Sequence, residues 1–285
     1  MNGFVRFIHF FQAQMSLPLP WEAWHLCSFA LTIILSVVLG IVFRKMGNNG
    51  LRIFLIIVSS ILIIFEIIKQ FVYSLYIVDG VAKWDYQWYM FPFHFCSLAM
   101  YVGLIAGIIK KGKVQDYLLS FLVTFGMFGG LIVMFVPSQV LCYIKFVNVQ
   151  TMVHHGSMIV VATVILAGKH IKLDFKTLLK GSVIFLICLT LGLTANIMSE
   201  KVFAIQEEFN MFFISPYVDC PMPVFNIVYK SVPYVIFLLT YIVGFCVGVS
   251  LVMYIIKLFI WLTKLLIGVV STTIKNKKSK VDKVQ

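Results

Sequence analysis

The residues with the most chemical potential lie in Phe91–Met100, FPFHFCSLAM, where His94, Cys96 and Ser97 follow Pro92 at the opening of an apolar run. A cysteine is a strong nucleophile only as the thiolate, and it needs a neighbouring base to reach that form. The opening of a helix supplies unpaired backbone N–H groups and the positive end of the helix dipole. Both favour a thiolate, and the same amides can hold the oxyanion of an ester under attack. His154 and His155 open a later apolar run and are the available bases. Neighbours on a helix point about 100° apart, so only one of the two can face Cys96.

The same residue types serve other ends. A cysteine beside histidines can be packing, or part of a metal site. His25-Leu26-Cys27-Ser28 repeats the His-x-Cys-Ser order, and the two His-x-Cys pairs together offer four zinc-type ligands. They belong to different apolar runs and their surroundings do not match, so no metal and no cofactor is expected, while His25 is kept as a site-lining residue. Glu66 and Lys69 are three apart on one helical run, a spacing that lets them pair. Such a pair either neutralises itself on burial or orients a histidine or holds a charged headgroup.

The elements that must position these residues are membrane helices. Of the 285 residues 61% are hydrophobic and 12% charged, and the mean hydropathy is +1.00. That composition excludes an ordinary soluble domain. The 27 Phe and 13 Met fall mostly within apolar runs and receive no individual role. A spanning helix needs about 20 apolar residues, and the chain offers seven such runs, near 24–43, 52–76, 91–109, 117–136, 152–168, 178–198 and 233–262. The expected fold is therefore all-α, a polytopic membrane protein of seven transmembrane helices. Residues 1–20 form an interfacial segment ended by Pro18 and Pro20, 21–265 the seven-helix domain, and 266–285 a basic cytoplasmic tail. No cleaved signal peptide is expected, because about 23 residues precede the first long apolar run and no small-residue cleavage pattern accompanies it.

Charge sets the orientation. The connections near 44–52, 110–116 and 169–180 are rich in Lys and Arg, as is the tail, whereas 77–90, 137–151 and 199–232 are not. The bias of positive residues toward the cytoplasm then puts the N-terminus outside and the C-terminus inside. The net charge of +12 is concentrated in that tail and suits a membrane surface; no nucleic-acid motif accompanies it. The six cysteines show no metal-binding or CxxC spacing. With this topology His25, Glu66, Lys69, Gln70, His94, Cys96, His154, His155 and Asn196 all fall in the outer half of the membrane. Ionisable groups at that depth cost at least about 2.5–3.5 kcal/mol each unless paired or wetted, so they mark a functional cavity.

FPFHFCSLAMYVG resembles the LP-L-H-L-C-S motif of the YwaF-like integral membrane family, whose animal relatives include transmembrane protein 164. Further likeness lies in His25, in His154-His155-Gly156, and in Asn210-Met211-Phe212-Phe213-Ile214 followed by Pro216, which is similar to a family N-Y-M-F-L…P stretch. The resemblance spans about residues 21–260. It implies a seven-span fold and transfer of fatty-acyl chains between phospholipids, with Cys96 as nucleophile and His154 as base. Ser97, Asn210 and the polar residues above would line or support that site.

The expectation is thus a membrane acyltransferase, or acyl-ester hydrolase, acting on phospholipid acyl chains in an outer-leaflet cavity of a bacterial cell membrane, with no oligomeric state implied. The alternative is a transporter or receptor-like protein whose cavity binds a small molecule or lipid without chemistry. Transport needs a polar trail to both sides, and the polar residues occupy one half only.

Overall fold

The computed structural model describes residues 3–79, 81–205 and 208–281, with side chains up to Leu265. The chain starts with α1 (Gly3–Phe11), whose Val5 and Ile8 are buried while Phe4, Phe7 and Phe10 are exposed. One face docks on the bundle and the other stays open. The helix ends at Phe11, well before the two prolines. The Gln12 side chain leaves it to donate to the carbonyls of Val72 and Leu75, and the chain then pairs with another segment, Met15 N–H donating to Tyr143 O at 2.8 Å and Lys145 N–H to Ala13 O at 2.9 Å.

Next come α2 (Ala23–Val42) and α3 (Asn48–Ser74), then an antiparallel hairpin of β1 (Leu75–Val78) and β2 (Val81–Trp84) with Leu75 opposite Trp84. After α4 (Leu98–Ile108), α5 (Lys113–Phe121) and α6 (Met127–Phe135) form one continuous rod joined by a π-helical turn at Leu122–Gly126. Last are α7 (Lys145–Ala167), α8 (Phe175–Lys201), the short α9 (Pro223–Ser231) and α10 (Tyr234–Val281). The lysines of the basic tail lie beyond the described side chains, and residues 282–285 beyond the described residues.

Among the described residues six helices are long and apolar enough to cross a membrane: α2, α3, the α5–α6 rod, α7, α8 and α10 as far as Leu265. The chain is an integral membrane protein. The run expected to span at 91–109 is not a full-length helix. Phe91–Ser97 is irregular, and only the 11 residues of α4 are helical, about 16 Å at 1.5 Å per residue against a hydrocarbon core of about 30 Å. Pro92 lacks the N–H a helix needs, and tight turns follow, with Phe93 N–H on Phe91 O and Ser97 N–H on His94 O.

The α5–α6 rod and α7 form the centre, with 72% and 67% of their apolar windows buried, whereas α2, α3, α8 and α10 are 22–28% buried and present Leu, Ile and Val outward. That is the pattern of a bundle whose outer ring faces lipid. The basic connections meet at one end. There Arg52 donates through Nε to Gly107 O (3.0 Å) and through Nη2 to Ile108 O (2.8 Å), and Gln115 donates to Ala106 O (2.9 Å). Together they satisfy the last carbonyls of the short α4 with a cation at the negative end of its dipole. At the same end Lys180 pairs with Asp116, and the Asp174 carboxylate caps α8 by accepting Thr177 N–H at 2.9 Å. The candidate residues gather at the opposite end.

Candidate functional site

The site is built where the irregular Phe91–Ser97 segment meets α7. His154 donates from Nε2 to the carbonyl of Cys96 at 3.1 Å. A carbonyl only accepts, so Nε2 carries the proton and Nδ1 holds the lone pair. Nδ1 is buried with no hydrogen-bond partner among the described residues. His94 is arranged alike: Nε2–H donates to Tyr89 O at 3.1 Å and Nδ1 is left without a partner. His155, beside His154 with ring centroids 5.3 Å apart, spends its Nδ1–H on Thr151 O at 2.8 Å. The two neighbours therefore differ, His154 bonding to the cysteine segment and His155 to its own helix.

Close packing fixes this register of α7. A Cβ added to Gly130 of α6 would lie 2.7 Å from His155 O, and one on Gly156 would lie 2.5 Å from the Thr32 hydroxyl of α2. Only glycine lets the three helices approach so closely.

A charged network flanks the histidines. Glu66, 3% exposed, accepts from Lys69 Nζ (2.8 Å) and Gln70 Nε2 (2.7 Å) at one oxygen and from Gln150 Nε2 (3.1 Å) at the other. Gln70 continues the network by accepting from the Tyr86 hydroxyl at 2.8 Å and donating to Met90 O at 2.9 Å. A buried ion pair survives only when its remaining valences are met in this way, and removing one partner of such a pair costs about 3–5 kcal/mol. The pair lies near enough to His94, Cys96 and His154 for Lys69 to act on all three electrostatically. Gln150 was not among the sequence candidates, although it lies one turn before His154 on α7 and so shares its face.

The other predicted residues serve the frame. His25 is fully buried, accepting Trp21 N–H at Nδ1 (3.0 Å) and donating from Nε2 to Met134 O (2.9 Å). Both nitrogens are committed to backbone, so it pins the start of α2 to α6 and cannot join Cys27, His94 and Cys96 in a four-ligand set. Asn196 clamps Met211 by donating to its O (3.0 Å) and accepting its N–H (2.7 Å). Asn210 accepts Ser215 N–H (2.8 Å) and donates to Asp219 O (3.1 Å). These amides hold a buried, non-helical segment within the bundle, which is tolerated at membrane depth only when protein satisfies it. Its carbonyls at Phe212 and Ile214 accept from Tyr241 (2.7 Å) and Tyr234 (2.6 Å). Phe212 and Phe213 have φ of 58° and 59°, a strained setting that places the Phe213 ring 5.1 Å from the His94 ring.

The expected amides of a helix opening are largely spent. Ser97 N–H donates to His94 O (2.9 Å), Ala99 N–H to Cys96 O (3.3 Å) and Met100 N–H to Ser97 O (3.3 Å), because the chain turns before entering α4. Ser97 precedes the helix without capping it. The nearby positive charge is that of Lys69. The arrangement thus sets the backbone of Cys96 against the His154 ring, at the edge of the buried Glu66–Lys69–Gln150 network.

No curated protein and no solved structure matches the chain. A family model described as the TMEM164 family matches residues 19–272, nearly the whole membrane domain including every residue of the site, and the chain belongs to that family.

Proposed function

We propose that the chain is a cysteine-dependent membrane acyltransferase, or acyl-ester hydrolase, acting on phospholipid acyl chains. The observation that supports this most is the His154 ring, held by the carbonyl of Cys96 itself so that a bare, buried nitrogen lies beside the cysteine segment. In the first step the Cys96 thiol gives its proton to His154 Nδ1, directly or through one water, and Sγ attacks the ester carbonyl. The C–O bond breaks, and the departing lysophospholipid alkoxide takes the proton back from Nδ1. In the second step an acceptor hydroxyl gives its proton to Nδ1 and attacks the thioester, which restores the thiol. With water as acceptor the result is hydrolysis. Lys69 offsets the negative charge that develops on the carbonyl oxygen, and His94 and Phe213 bound the space in which the acceptor sits.

In the same reading the irregular Phe91–Ser97 segment and α4 together make one crossing, giving seven, with the N-terminus outside and the C-terminus inside. What supports this is that the chain enters the irregular segment beside the site end of α3, where Gln70 donates to Met90 O, and that α4 ends beside Arg52 at the opposite end. The site then opens toward the outer leaflet. Turnover of phospholipid acyl chains by purified protein in vesicles tests the proposal: Cys96→Ser keeps size and hydrogen bonding but not a readily ionised thiol, and should nearly abolish it. Wild-type turnover by folded Cys96→Ser protein would end the proposal.

A further inference from the structure

Around α1 the side chains sort into three sectors. At about 100° per residue, Val5 and Ile8 share one side and are buried, Arg6 and His9 are exposed on the next, and Phe4, Phe7 and Phe10 fill the third. The three rings are 50%, 51% and 74% exposed, and Phe7 and Phe10 make ring contacts with Phe11 of their own helix, at 5.0 and 5.3 Å. A docked side, a polar side and an open aromatic side follow one another without exception.

The helix crosses the bundle and does not run along it. Nine residues make it about 13 Å long at 1.5 Å per residue, yet both its ends meet a single turn at the end of α3. The Phe4 ring lies 5.3 Å from Phe71, and Gln12, just past the other end, donates to Val72 O (3.0 Å) and Leu75 O. On its other flank is the first turn of α7: Ile8 clusters with Val72 and Val147, and the Phe11 ring lies 4.8 Å from Phe146.

The level of α1 is that of a hydrocarbon boundary. Arg52, where the basic connections meet, precedes Phe71 on α3 by nineteen residues, about 28 Å against a hydrocarbon core of about 30 Å. Phe71 also shares a side of α3 with Ile57, Ile64 and Ile67, each more than half exposed. The aromatic side of α1 therefore adjoins the surface that α3 turns to lipid.

We propose that α1 is a bilayer-seated brace. Acyl chains just beneath the headgroups cover Phe4, Phe7 and Phe10, Arg6 and His9 stand among the headgroups, and the docked side holds the ends of α3 and α7 together. These helices carry Glu66, Lys69 and His154, so the bilayer surface steadies the frame of the candidate site. The inference stands apart from the acyl-transfer reading and is tested without turnover.

The variants Phe7→benzoylphenylalanine, Phe10→benzoylphenylalanine and His9→benzoylphenylalanine carry a photoreactive ketone that inserts into nearby C–H bonds. All three positions are exposed, so the docked side is kept. After irradiation of membranes containing the full chain, mass spectrometry of the α1 peptide and gel electrophoresis identify what was captured. Phospholipid adducts are expected at positions 7 and 10, at least tenfold above position 9. Capture of a second copy or another protein at 7 and 10 would overturn the lipid seat, as would equal lipid capture at all three positions or none at any.

The bracing is read separately by hydrogen exchange in vesicles. Phe7→Asn combined with Phe10→Asn should speed exchange at least tenfold over residues 71–75 and at Lys145, whose N–H is held by Ala13 O, and leave residues 158–165 unchanged. Unchanged exchange over 71–75 and at Lys145 would overturn the brace. If exchange rises throughout α7 the fold itself is lost, and Phe10→Asn alone decides.

Discussion

The proton on His154 is placed by a backbone carbonyl, where many hydrolytic sites use a carboxylate to orient the base. The consequence is a division between two adjacent histidines. His154→Ala should lower acyl turnover by about 10²–10⁴-fold, the usual range for a general base. His155→Ala, whose Nδ1–H is spent on Thr151 O, should cost clearly less, and Cys96→Ser combined with His154→Ala should be little worse than either alone. Rates of all four proteins in one vesicle assay check this, and a larger loss from His155→Ala would reverse the assignment. Cys96, Glu66, Lys69 and both histidines were legible as chemically odd residues in apolar runs. Gln150 was less visible, because an uncharged amide in a mixed polar stretch looks like helix surface until Glu66 is seen to face it.

At the level of elements, the least regular segments carry the site. Phe91–Ser97 is irregular and Met211–Phe213 is a single 3-10 turn with left-handed backbone at Phe212 and Phe213; both are aromatic and in contact through Phe93–Phe212 and His94–Phe213. Hydrophobicity over 91–109 has the length of a span, so the sequence suggested a plain helix, and only Pro92 hinted otherwise. The hairpin after α3 was also missed, although Asp79-Gly80 between β-branched residues is a turn signal. The NMFFI segment depends on Asn196. Asn196→Ala strips Met211 of a buried donor and a buried acceptor, and at about 1–3 kcal/mol for each unsatisfied group the loss should be about 2–6 kcal/mol. Thermal unfolding in detergent should show that drop, with faster hydrogen exchange over residues 209–215; unchanged exchange there would mean that Tyr234 and Tyr241 suffice to hold the segment.

For the whole molecule, apolar runs conveyed the all-helical architecture and its six long spans, because a bilayer imposes span length on the sequence itself. The polar residues expected at one depth, His25, Glu66, Cys96, His154 and Asn196, do collect at one end of the bundle. What pattern alone did not convey was that His25 and Asn196 spend their polar atoms on backbone: both look as reactive as His154 until their partners are seen. The proposed orientation predicts that a cysteine at Asn49 is shielded from an impermeant thiol reagent in intact cells while one at Lys83 reacts, and reversed labelling would place the site on the inner leaflet. The central claim is that an acyl group passes through Cys96. Mass spectrometry of protein purified from membranes during turnover should find a fatty-acyl mass on the Cys96 peptide, removable by hydroxylamine and absent from Cys96→Ser. Phospholipid turnover by wild-type protein whose Cys96 never carries an acyl group would contradict the account.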